Sequence, residues 1–137
     1  MAINRDGSNN RLKVILDTNA LMIPTQFGVD LIDGLCELLG SYELLVPFEV
    51  IMELRGLSQG HGKDSVAARM GLVIASGLEC LSPLDEDIPV DDKIIRLAQM
   101  FNAIVMTNDK KLKIQLQKLN IPVIVLRARS RFELIGM

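Results

Sequence analysis

The chain has 137 residues, 49% of them hydrophobic and 23% charged, enough for one compact domain with a substantial apolar core. No apolar run approaches the ~18 residues of a membrane helix, and the polar stretch from Met1 to Asn10 is not a secretory signal; the expectation is a cytoplasmic protein without membrane contact. The formal net charge of −2 hides a division: residues 1–92 carry 15 acids and 6 bases, residues 93–137 carry 2 acids and 9 bases, which suits a cation site beside a surface for a polyanion.

In chain order, residues 1–10 read as a flexible tail ahead of a single domain over residues 11–137. Leu12–Leu16 form a buried strand that runs into a polar turn, Asp17-Thr18-Asn19. Val29, Ile32, Leu35 with Cys36, and Leu39 share one helical face before Gly40, a natural helix stop. A strand over Glu43–Val46 leads to Pro47, which starts a helix through Leu54. The segment "RGLSQGHGKDS" is a glycine-rich loop, after which Val66 to Ala75 resumes a helical pattern. A weak strand near Glu79–Leu81, a helix from Asp91 to Phe101, a strand over Ala103–Met106, a helix from Asp109 to Leu119 and a strand over Val123–Leu126 complete the pattern. Strands alternating with helices imply an α/β fold with a mainly parallel sheet. Cys36 and Cys80 lack metal-ligand spacing and read as reduced core thiols.

Four acids stand out. Asp17 and Asp109 each follow the carboxyl end of a predicted strand, and in open α/β sheets ligands bind beyond those ends, where the strand order reverses. If the two strands are neighbours there, the two carboxylates face one another. Glu53 lies inside an apolar helix, one turn beyond Glu49. Asp91 falls roughly 45° from the centre of the face defined by Ile94, Ile95, Leu97, Ala98 and Phe101, whereas Asp92 falls roughly 145° away, so Asp91 is expected to point inward and Asp92 to water. Each acid alone has an ordinary explanation, as a cap, a solvated helix residue or a first-turn charge. Four together would repel one another unless their pKa values rise or a cation neutralises them. Oxygen-only donors without a Cys/His cluster favour Mg²⁺ or Mn²⁺ over zinc, as one or two ions. The single His61 reads as a solvated loop residue.

The successive stretches "VILDTNALM", "VIMELRG", "VDDKIIRLAQ" and "IVMTNDKKLK" resemble, in order, the motifs of PIN-domain ribonucleases, and the resemblance runs from about Leu12 to Leu126. It implies a three-layer fold with a central, mainly parallel five-stranded sheet flanked by helices. It assigns Asp17, Glu53, Asp91 and Asp109 as the catalytic acids. Asp17, Asp91 and Asp109 hold the metal, and Glu53 completes the cluster or orients water. Thr18, Asn19, Asp92, Thr107 and Asn108 support them. The implied activity is metal-dependent endonucleolytic hydrolysis of RNA in RNA processing, leaving 5′-phosphate and 3′-hydroxyl ends. Lys110, Lys111, Lys113, Arg127, Arg129 and Arg131 are the expected contacts to the RNA backbone.

Within that family the sequence resembles archaeal proteins akin to ribosomal-RNA-processing endonucleases, while VapC toxins share the same acids. The implied partners are RNA, a second copy of the chain, and either an antitoxin or a ribosome-assembly partner. A catalytically silent, RNA-binding scaffold is the non-enzymatic alternative. Two other readings fail on residues. "QGHGKDS" has Asp64 where a phosphate-binding loop needs Ser or Thr after Gly-Lys. A dehalogenase-like phosphotransferase usually has a second Asp two residues after the first, where this chain has Asn19.

Overall fold

The structure is a computed structural model and describes residues 11–137; the tail expected over residues 1–10 lies outside the described residues. Its elements run β1 (Leu12–Leu16), α1 (Thr18–Phe27), α2 (Leu31–Leu39), β2 (Tyr42–Pro47), α3 (Phe48–Leu57), α4 (Lys63–Ala75), β3 (Glu79–Leu81), α5 (Val90–Phe101), β4 (Ile104–Met106), α6 (Lys110–Lys118), β5 (Val123–Arg127) and β6 (Arg131–Ile135). The sheet order is β3-β2-β1-β4-β5-β6, and every pairing is parallel except β5 with β6. Helices flank this mixed sheet.

That order explains where a site can form. The chain builds the sheet outward from β1 to β2 and β3, then returns to place β4 on the other side of β1. Leu16 at the end of β1 stands beside Met106 at the end of β4, so the two strands leave the sheet together at the reversal point. Val14, Ile15, Leu16, Val105 and Met106 have no solvent exposure. Burial of this kind contributes about 1.5–3 kcal/mol per large side chain and fixes the register of the two exits.

Several sequence expectations change. Among the described residues the sheet has six strands rather than five, because Arg131–Ile135 turns back as an antiparallel edge strand. Phe132, Leu134 and Ile135 in it are only half-buried, which blurs the strand signal. Thr18 and Asn19 are not a turn but the first residues of α1. Pro24 inside that helix works against recognising it, although Asp17 caps its start and Gly28, at φ 67°, closes its end.

On α2 the buried stripe is Leu31 and Leu35, not the face containing Ile32 and Cys36, which are exposed. Gly34 lies between them because the Phe132 ring packs where its Cβ would be. Cys36 and Cys80 are therefore exposed thiols rather than core residues. His61 is exposed in the loop before α4, as expected.

Candidate active site

Asp17 leaves β1 and becomes the cap of α1. Its Oδ1 accepts from the Thr18 backbone N–H at 2.6 Å, and its own N–H donates to the Met106 carbonyl at 3.2 Å, tying it to β4. The side chain is only 7% exposed. Its Oδ2 accepts from the Thr107 hydroxyl at 2.7 Å and from the Asn19 amide at 3.5 Å. A carboxylate held this way serves as a helix cap and stays buried where β1 and β4 leave the sheet.

The β4 exit mirrors this arrangement. Thr107, with no solvent exposure, accepts from the Asp109 backbone N–H at 3.1 Å while donating to Asp17, so one hydroxyl links both acidic segments. Asp109 caps α6 by accepting from the Leu112 N–H at 3.1 Å, and its side chain is exposed. Asn19 accepts from the Asn108 N–H at 3.1 Å, and Asn108 in turn accepts from the Leu126 N–H at 2.8 Å, joining the ends of β4 and β5. These four polar residues brace the exits of three strands.

Glu53 and Asp91 arrive from two further helices. The Thr18 hydroxyl donates to Glu53 Oε1, so Thr18 contacts one acid through its backbone and another through its side chain. Burial pushes Asp17 up to about 6, and the negative charges of Asp91 and Glu53 push it the same way; the Thr107 and Thr18 hydrogen bonds oppose the shift. Asp91 is also raised, by burial first and then by Asp109, with Glu53 and Asp92 adding to this and Lys111 opposing it. The four acids are thus electrostatic neighbours.

They are not a closed coordination shell. Among the described residues, no group of three His, Cys, Asp or Glu side chains converges closely enough to hold a metal ion. The two findings agree physically, because charges act across several ångströms while direct ligation needs oxygens about 2.0–2.1 Å from an ion such as Mg²⁺. A hard cation that keeps several waters, bound directly by one or two carboxylates, suits this spacing and donor chemistry.

Other expected residues fall less simply. Asp92 is half-buried, like Asp91, and borders the same depression beside Lys111, rather than turning to water. Both occupy the first turn of α5, where the helix has not yet separated its faces against neighbouring layers. Lys110 and Lys111 are exposed on the first turn of α6, and Lys113 is half-buried. Arg127 is paired with Glu133 at 2.7 Å. Arg129 lies 5.9 Å over the Phe27 ring, and Arg131 faces the same depression as Asp30, Asp33 and Glu37. The hairpin arginines are partly engaged by the protein itself.

Sequence reasoning missed Glu49 and Lys93, which form a mostly buried ion pair at 3.4 Å between α3 and α5. Glu49 also accepts from the Leu84 N–H at 3.3 Å, while its Oε1 is buried without a hydrogen-bond partner among the described residues. Glu49 stands one turn before Glu53, but only the packing of two helices reveals its partner.

A mainly parallel α/β sheet whose reversal point gathers carboxylates from four segments defines a PIN-like domain. The chain belongs to that family: the sequence model described as "PIN like domain" matches residues 14–129, a span that includes all four acids. It is 32% identical over 127 residues to "Ribonuclease VapC9" of Archaeoglobus fulgidus, covering 91% of each chain. It is 28% identical over 130 residues to "Ribonuclease VapC4" of Methanocaldococcus jannaschii, covering 91% of this chain and 98% of the relative. Among solved structures, that of the PIN domain endonuclease Utp24 superposes with a TM-score of 0.76 at 26% identity, over 91% of this chain and 92% of the other.

Proposed function

We propose that this chain is a metal-dependent endoribonuclease in which Asp17, Glu53, Asp91 and Asp109 form the catalytic centre. The observation that carries the reading is the position of Asp17. A carboxylate that has left the core stays almost fully buried at the sheet's reversal point, with its pKa raised partly by Asp91 and Glu53. A fold-stabilising cap has no need of two more acids within electrostatic reach. The names of the two VapC relatives and of the structural neighbour support nuclease chemistry, and the relatives support RNA as the substrate.

Asp17, Asp91 and Asp109 would hold one or two Mg²⁺ or Mn²⁺ ions. When bound, such an ion supplies hydroxide near neutral pH and offsets charge on the phosphate oxygens. Thr107 and Asn19 fix the direction of the Asp17 carboxylate, and Thr18 holds Glu53 beside it. Glu53 is exposed beside Thr18 and would orient an attacking water. Lys110 and Lys111, with Lys113 and the hairpin residues Arg127, Arg129 and Arg131, contribute positive charge for the RNA backbone. Asp92 adds negative charge beside Asp91.

The VapC likeness favours one particular role, the ribonuclease of a toxin–antitoxin pair, with an antitoxin as partner and cytoplasmic RNA as target. The Utp24 likeness is compatible with an RNA-processing role, for which a ribosome-assembly partner and a homodimer are the corresponding expectations. Both roles use the same chemistry. Incubating the protein with single-stranded and structured RNAs, in Mn²⁺, Mg²⁺ or EDTA, should give internal cuts only with metal. Mapped products should carry 5′-phosphate and 3′-hydroxyl ends. Cyclic 2′,3′-phosphate ends or cutting in EDTA would refute the hydrolytic mechanism.

A further inference from the structure

We propose that the depression beside Glu53, bordered by Phe48 and Met52, is a subsite for one unpaired nucleobase of the substrate strand. The proposal rests on the RNA reading above and extends it to how the strand is gripped. It begins with the sequence "PFEVIMEL". Two pairs spaced four residues apart lie side by side on α3, Phe48 with Met52 and Glu49 with Glu53. The acidic pair faces the site and its supporting ion pair. The apolar pair stays in solvent, Phe48 at 37% exposure and Met52 at 47%.

The depression has a volume of about 480 Å³ and is lined by Phe48, Met52, Pro83, Glu53 and the paired Glu49 and Lys93. The depression is open and shallow, with room for one base laid against its wall. Its walls are fixed. Glu49, with a side chain only 10% exposed, binds Lys93 of α5 and the Leu84 N–H, holding α3, α5 and the Pro83–Leu84 segment together. A second depression of about 230 Å³ contains Asp91 and Lys111, and Val90 borders both. The two depressions adjoin at Val90, so a strand crossing the acids would meet both Lys111 and the Phe48 platform.

The chemistry favours a base over other occupants. An aromatic ring beside a polarizable thioether presents a flat apolar surface that stacks on any base, whereas a paired base keeps its faces covered. A folded protein partner needs about 800 Å² on each side, more than two side chains in a depression supply. The platform adjoins Glu53, one of the acids proposed to act on the scissile phosphate.

The test uses short single-stranded RNAs in which one position at a time carries the fluorescent base 2-aminopurine or lacks a base. In EDTA, wild type should quench 2-aminopurine at one position next to the mapped cut. Phe48→Ala should lose this quenching, and Phe48→Trp should keep it. With Mn²⁺, removing that base should lower wild-type kcat/KM by about tenfold, the scale of one base–aromatic stack. Phe48→Ala should lose a similar factor on intact RNA and nothing further on the abasic RNA. Met52→Ala should show the same pattern more weakly, and unchanged melting of all variants confirms that folding is intact. A wild type that cuts RNA while Phe48→Ala cuts equally well overturns the subsite alone, as does an equal Phe48→Ala loss on intact and abasic RNA. A change of oligomeric state in Phe48→Ala with unchanged base dependence assigns the patch to self-association and also overturns it. A wild type that neither binds nor cuts RNA overturns the subsite and the ribonuclease reading together.

Discussion

Asp17→Asn should strongly reduce RNA cleavage and, without metal, leave the protein more stable than wild type at neutral pH. The stability effect follows from linkage. The Asp17 pKa rises on folding from 3.8 to about 6, so the folded state binds this proton more tightly than the unfolded state. The resulting stability is present in full below about pH 4 and is lost as pH rises through about 6. Two pKa units correspond to about 3 kcal/mol, an upper limit on what neutralising the group returns at pH 7.5. Asn recovers part of it, because its amide presents only one oxygen to the Thr18 and Thr107 donors. Melting curves from pH 4 to pH 8 should therefore show the variant's advantage appear between these limits. Cleavage should fall on the order of 10²–10³-fold or more, as when one transition-state stabiliser is removed. A pure cap would behave differently, since Asn caps helices nearly as well as Asp and activity would survive.

Asp91→Asn should reduce cleavage by roughly 10²-fold, while Asp92→Asn should change it only severalfold. The neighbours share the first turn of α5, the same helix dipole and similar burial, so these general effects cancel in the comparison. Their surroundings differ: Asp109 and Glu53 raise Asp91 by charge, and Lys111 opposes them. Single-turnover cleavage of one RNA by both variants separates the cases. Equal losses would mean that the pair acts jointly at the centre.

The acids were legible in the sequence because the strands leading to Asp17 and Asp109 are continuous apolar runs, and such runs end where a parallel sheet ends. The adjacency of β1 and β4 was only conditional there, since no local pattern reports which strands pair. The register of Leu16 with Met106 satisfies that condition. Helical periodicity singled out Asp91 but overstated its difference from Asp92, because burial at a helix start depends on neighbouring elements. The helix α1 was hidden by Pro24, and β6 by half-buried residues on an edge. Glu49 and Lys93 are 44 residues apart and meet only when α3 and α5 pack. Similarly, the charge division predicted a basic C-terminal third, but not that Glu133 would engage Arg127.

A divalent cation held among Asp17, Asp91 and Asp109 is tested most directly by the melting temperature of wild type and Asp17→Asn across a Mn²⁺ titration, with RNA absent. A ligand selective for the folded state stabilises it by about 2.7 kcal/mol at a concentration one hundred times its Kd. Wild type should therefore melt several degrees higher as Mn²⁺ rises, with saturation, because the ion offsets the cost of holding charged Asp17 and Asp91, which burial raises first and neighbouring acids raise further. Asp17→Asn should begin at the higher metal-free melting temperature and respond weakly. A wild type that shows no shift, or an Asp17→Asn protein that shows the same shift, would contradict the claim.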